Sequence, residues 1–142
     1  MYLIDGYNLL YQSDFVHRED LIDRVARFCR REHKVAHIIF DGYAPADLSS
    51  SVLRVTFAGD ADAEIVKTIR ETDNPNKWKL VSDDKELIFA AQKRGVEVWS
   101  VERFLYLLAS EAATYPLEKD VNAGLSDDEA EEALLEFNNF QT

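Results

Sequence analysis

Five short apolar runs, spaced by helical patterns, constrain this chain more than any other feature. Residues 2–4, 36–40, 52–57, 79–81 and 96–99 read as strands. Helical periodicity marks segments near 18–34, 61–72, 84–94 and 101–112. Such alternation predicts an α/β fold, a three-layer sandwich whose mainly parallel central sheet is covered by helices on both faces. Right-handed crossovers then bring the carboxyl ends of the strands to one edge. Residues 43–51 and 73–76 are loops by composition. Asp83 is the expected N-cap of the 84–94 helix, with Glu86 at its third position, and Gly95 ends that helix. Ser100 is placed to cap the next one.

The aspartates fall where those strands end. Asp5 follows the first strand and Asp41 the second; Asp60 and Asp62 follow the third, and Asp83 and Asp84 the fourth. In an open parallel sheet, ligands collect at the carboxyl ends of the strands. Carboxylates gathered there resist ionisation unless cations neutralise them. A hard, oxygen-preferring ion, Mg²⁺ or Mn²⁺, is the natural partner, and such ions assist phosphodiester hydrolysis by activating water. A structural reading stands beside the chemical one. Asp60, Asp62, Asp83 and Asp84 also occupy helix N-termini, where capping and the helix dipole favour acids. Asp41 before Gly42 is a common turn pair. Asp5, straight after a buried strand, needs a partner or a site.

Composition bounds the rest. The chain has 142 residues, 46% of them hydrophobic, enough for one domain with a real core. A single cysteine, Cys29, excludes an intramolecular disulfide framework, and its place on an apolar helical stripe reads as a buried thiol. No apolar run approaches the roughly 18 residues of a membrane span, and residues 2–4 open directly into a strand pattern, so no membrane partner and a reducing, cytoplasmic location are expected. The net charge of −11 argues against a nucleic-acid partner at first sight. Residues 115–142, however, hold eight acids against one base, so the acidity is concentrated in the tail. The expected division is a body over 1–114 and, over 115–142, an acidic linker leading to a C-terminal amphipathic helix. That helix is marked by Ser126 and Glu129 as a capping box and by Ala130, Ala133, Leu134 and Phe137. It is expected to dock on its own domain, to pair with a second copy, to mimic nucleic acid and shield the site, or to meet a ribosome or RNA-processing partner.

The run Tyr2-Leu-Ile-Asp-Gly-Tyr-Asn-Leu-Leu10 closely resembles the opening of NYN domains, specifically the YacP-like group of PIN-like ribonucleases. Ile38-Ile-Phe-Asp41, Val55-Thr-Phe-Ala-Gly-Asp-Ala-Asp62 and Leu80-Val-Ser-Asp83 resemble the later strands and acids of that family, in the right order, over about residues 2–108. The resemblance implies a PIN-like fold and divalent-metal-dependent endonucleolytic cleavage of RNA. Carried over, Asp5, Asp62 and Asp83 hold the metal, Asn8 orients a ligand or water, and Asp41 supports the site. Many relatives carry a further acid two residues after the one matching Asp83. Here that position is Lys85, with Asp84 and Glu86 beside it as available substitutes.

Substrate-binding candidates are fewer. Arg24, Arg27 and Arg31, continued by Lys34, form one stripe on the 18–34 helix, a match for phosphates or, given Asp20 and Asp23, a solvated face of intrahelical pairs. Tyr7, Tyr11 and Tyr43 are placed to stack on bases or to pack at the rim, and Lys85 to meet a phosphate. His17, His33 and His37 lack a metal-ligand spacing. Besides the metal-dependent ribonuclease, two other functions fit acids at parallel strand ends. One is a non-catalytic RNA-binding or adaptor module. The other is a phosphoacceptor receiver domain built on Asp41, disfavoured because Gly6 follows Asp5 and no lysine follows the 96–99 strand.

Overall fold

The computed structural model describes residues 1–44 and 46–113. The chain divides into a unit over Met1–Tyr106, which carries the sheet, and a second over Leu107–Thr142. The acidic tail and its capping box lie outside the described residues. The elements run β1 (Tyr2–Asp5), α1 (Gly6–Gln12), α2 (Arg18–Glu32), β2 (Ala36–Asp41), β3 (Leu53–Ala58), α3 (Ala61–Glu71), a 3-10 turn (Pro75–Lys77), β4 (Lys79–Val81), α4 (Lys85–Arg94), β5 (Glu97–Trp99) and α5 (Val101–Ala113). The five strands form one sheet in the order β3-β2-β1-β4-β5, and every pairing is parallel. From β1 the chain steps outward to β2 and β3, then returns past β1 to β4 and β5. The direction reverses between β1 and β4, the switch point at which sheets of this kind bind ligands.

Side chains alternate across the sheet. Leu3, Ile39 and Leu80 share one face and pack with Ala61, Ile65 and Ile69 of α3 and Leu87 and Ala91 of α4. The other face meets α1, α2 and α5. There the Tyr2 ring lies against Phe28 and Phe104 at 6.0 and 5.2 Å, and Phe40 against Tyr7 at 4.9 Å. Cys29 is buried on that side, and burial pushes its thiol up to about 11, as befits an inert core residue. The three-layer α/β expectation is met, with a sheet that is wholly parallel.

The element missing from the sequence reading is α1. Its seven residues are too few for a period to show, and they open on Gly6, a weak helix former, straight after β1. Tertiary contact forms it: Leu9 and Leu10 are buried, and Gly6 lets the chain pass tight over β2. A Cβ on Gly6 would stand 2.6 Å from the Phe40 ring and 2.8 Å from the Ile39 carbonyl oxygen. The cap of α4 is also shifted by one residue. Asp84, not Asp83, is its N-cap and accepts from the N–H groups of Glu86 and Leu87. Asp60 caps α3 through the Ala63 N–H, Gly95 closes α4 in the left-handed region (φ 79°), and the Ser100 hydroxyl accepts from the Arg103 N–H.

Gly6→Ala is expected to lower stability by about 1–3 kcal/mol, because neither a buried ring nor a backbone oxygen can give way cheaply. Gly59→Ala, whose Cβ would meet nothing within 4 Å, serves as the control and should melt at or slightly above the parent temperature. Thermal unfolding of both variants checks the contrast.

Candidate functional site

The acids gather at the carboxyl edge of the sheet, on the α3–α4 side. Asp5 continues the face of Leu3, and Asp41 that of Ile39. Beyond β4 the same alternation, carried on from Leu80, puts Ser82 and Asp84 on this face. Asp62 arrives in the first turn of α3. Burial pushes the Asp5 carboxyl up to about 6, against a hydrogen bond from Ser82, while Asp62 and Asp84 raise it further. The Asp62 carboxyl is raised as well, by burial and then by Asp84, Asp41, Asp60 and Glu86. Asp5 thus lies within electrostatic reach of Asp62 and Asp84, and Asp62 within reach of Asp84, Asp41, Asp60 and Glu86.

Neutral hydrogen bonds hold this group in place. Ser82, fully buried, donates from its hydroxyl to Asp5 Oδ2 (3.0 Å) and accepts the Asp84 N–H (3.0 Å), so one oxygen ties the end of β1 to the start of α4. Asp41 Oδ1 accepts the Ala61 N–H (2.7 Å), which docks the N-terminus of α3 onto the end of β2. Asn8 Oδ1 accepts the Asp83 N–H (2.9 Å), which fixes α1 to the β4–α4 loop. Asn8 and Asp41 thus support the site rather than face one another within it.

Asp83 is not brought into the group. Its Oδ1 accepts the Val101 N–H (3.0 Å) at the start of α5, and its Oδ2 accepts from Gln12 Nε2 (3.0 Å). The cause is the period of an extended chain, which turns Asp83 to the side opposite Ser82 and Asp84. The residue two places beyond Asp84 is Glu86, in the first turn of α4. Lys85 itself is an exposed first residue of α4.

The stripe on α2 does not reach the crevice as a unit. The helix starts at the carboxyl edge and runs down to the beginning of β2, which carries Arg31 to the opposite edge. Arg27 is exposed and paired with Asp23 at 2.9 Å, whereas Arg24 and Arg31 are half-buried. Arg18, at the top of the helix, is the cation the sequence reading passed over. It donates to the Tyr7 hydroxyl (3.0 Å) and the Tyr43 carbonyl (3.4 Å), and its guanidinium lies 4.7 Å from the centre of the Phe57 ring. Ser82 and Gln12 were passed over too; a serine between an apolar strand and two aspartates was the available signal for the first. A groove of about 430 Å³ leaves the acids between α3 and α4, with Asp60, Asp62 and Glu86 at its mouth and Lys67 and Arg70 further along.

The donors at the crevice are all carboxylate oxygens, the set that suits Mg²⁺ or Mn²⁺. Among the described residues, no three acid, histidine or cysteine side chains stand close enough to hold an ion as placed. Nor is any helix of the described residues long and apolar enough to cross a membrane.

No curated protein matches the sequence. Among solved structures, the chain is similar to Rae1 (YacP) from Bacillus subtilis, with a TM-score of 0.65, 18% identity, and coverage of 80% of this chain and 75% of that one. A tryptophan-to-leucine variant of the same protein matches equally well, covering 79% of this chain and 76% of that one. At such identity the likeness speaks to the fold. The family model for the YacP-like NYN domain matches residues 2–136. The chain belongs to the YacP-like NYN domain family, a group of the PIN-like ribonucleases.

Proposed function

We propose that this protein is a divalent-metal-dependent endoribonuclease that hydrolyses RNA phosphodiester bonds. The observation that carries the reading is the meeting of Asp5, Asp62 and Asp84 at the switch point of the sheet. There the Asp5 and Asp62 carboxyls are pushed up by burial and by neighbouring acids rather than pulled down by a basic neighbour. Mg²⁺ or Mn²⁺ would be held by Asp5, Asp62 and Asp84, with Glu86 alongside, and would supply charge neutralisation at the scissile phosphate and a water of lowered pKa. Side-chain rotation has to close the carboxylates on the ion. The rest falls to this chain's own residues. Ser82 keeps one oxygen of Asp5 engaged and leaves the other to the crevice. Asp41 and Asn8 fix α3 and the β4–α4 loop, so that Asp62 and Asp84 approach from opposite sides. Lys67 and Arg70 meet phosphates of the strand leaving through the α3–α4 groove. Lys85 is an additional phosphate contact at the rim.

A second reading is a non-catalytic RNA-binding or adaptor module. It is favoured by the wide placing of the carboxylates and by the acidity of the chain. A Mn²⁺ titration followed by thermal unfolding separates the two, since an ion that binds only the folded state raises the melting temperature. No shift at millimolar metal supports the adaptor.

Asp5→Asn should abolish RNA cleavage while the fold persists; undiminished cleavage refutes the nuclease. The same variant carries a stability signature. The folded pKa of Asp5 lies above its unfolded value, so ionising it costs stability progressively between about pH 4 and pH 6, and in full above that. In a chelating buffer at pH 7.5, Asp5→Asn should therefore melt above the parent, and the two should converge toward pH 4.

The register is tested separately. The Mn²⁺-induced stabilisation should vanish in Asp62→Asn and Asp84→Asn and survive in Asp83→Asn. The opposite pattern for the last two would return Asp83 to the metal set.

A further inference from the structure

Tyr11 is 79% exposed, yet it is not a loose surface residue. Its ring stacks on Tyr7, one helical turn away, with centroids 5.6 Å apart and planes 22° from parallel. Tyr7 is fixed in turn. Its edge meets the buried Phe40 ring, Phe40 stacks on Phe57 at 5.5 Å, and the Tyr7 hydroxyl accepts from Arg18, whose guanidinium lies over Phe57. The result is a column of aromatic rings rising from the core and ending in an open face. That column stands on α1, which begins directly after Asp5. On its other side α1 is tied by Asn8 and Gln12 to Asp83, next to Asp84. The open ring is thus held at a set position relative to the acids. Tyr43, another exposed tyrosine, lends Arg18 only its carbonyl, and nothing fixes its ring among the contacts of the described residues.

We propose that the outer face of Tyr11 is a stacking platform for an unpaired nucleobase, and that it selects single-stranded over duplex RNA. The proposal rests on the ribonuclease reading and names its substrate class. Every base has a π-face, so the platform is tolerant of sequence. A base inside a duplex already has both faces covered and must be unstacked before it can use the platform. The chemistry also suits this chain's charge. A protein of net charge −11 gains little from general attraction to phosphate, whereas stacking needs no net positive surface. Tyr7 and Arg18 are positioning residues here: they hold Tyr11 and are not themselves offered to the base.

The test uses the full chain carrying Asp5→Asn, so that binding is read without cleavage. The probes are a short single-stranded RNA with 2-aminopurine at one position and its fully paired duplex. Tyr11→Ala should weaken single-strand binding by about fivefold to 150-fold, the range expected of one base–aromatic stack. The factor should be the same at 50 and 200 mM salt, since no phosphate contact is removed. Tyr11→Trp should retain binding, and the fluorescence quenching that accompanies stacking should disappear only in the alanine variant. Duplex binding should not change. Equal single-strand affinity in Tyr11→Ala, or an equal loss on duplex, overturns the proposal. Because the readout is binding, a failure here leaves the cleavage test of Asp5→Asn standing, and the reverse also holds.

Discussion

Like-charged carboxylates forced together at one edge of a parallel sheet set the terms for the rest of this structure. Asp5, Asp41 and Asp84 are steered by neutral donors, the Ser82 hydroxyl for the first and peptide N–H groups for the other two, so none of the three is neutralised by being held. The mutual repulsion is opposed from below. Ile65, Ile69, Leu87 and Ala91 bind α3 and α4 to Leu3, Ile39 and Leu80, directly beneath the helix ends that carry Asp62 and Asp84. Each fully buried aliphatic side chain contributes on the order of 1.5–3 kcal/mol, so a few of them outweigh the crowding of exposed or half-exposed carboxylates. The positive ends of two helix dipoles lessen it further. A site that is strained in charge can therefore sit on a core that is not strained in packing.

The architecture was legible because period and punctuation agreed. The five strands announced themselves by apolar runs with acids or loops after them, and Gly95 and Ser100 marked helix ends by chemistry that works locally. What was not legible depends on contacts between distant segments. Helix α1 is formed by burial of Leu9 and Leu10 against the rest of the fold, and Gly6 is required by the Phe40 ring, thirty-odd residues away in the chain. The basic stripe on α2 was a correct period with a wrong destination. A helix that begins at the carboxyl edge and ends where β2 begins must carry its later residues away from the crevice, which leaves Arg18 as the α2 cation at that edge.

The arginine that does reach the edge spends its donors on Tyr7 and Tyr43 and its face on Phe57. A cation committed in this way is a brace, and its charge is partly absorbed before any phosphate arrives. On the proposed reading, positive charge for a substrate is left to Lys67 and Arg70 in the α3–α4 groove and to Lys85 at the rim. On the same reading, cleavage chemistry and substrate grip are separated in space. The acids occupy the switch point, the aromatic column flanks it on α1, and the cations lie down the groove on the far side.

The different settings of Asp83 and Asp84 follow from a rule available in the sequence. Leu3 with Asp5, Ile39 with Asp41, and Leu80 with Ser82 and Asp84 are all spaced by two, and in an extended chain residues spaced by two share a face. Asp83 belongs to the face of Val81, which is the face of α1 and α5, and it bonds there to Gln12 and to the first N–H of α5. Matching motifs by their order along the chain leaves an adjacent pair of aspartates unresolved, because either satisfies the pattern. Strand parity separates them. Glu86, in the first turn of α4, lies two residues beyond Asp84.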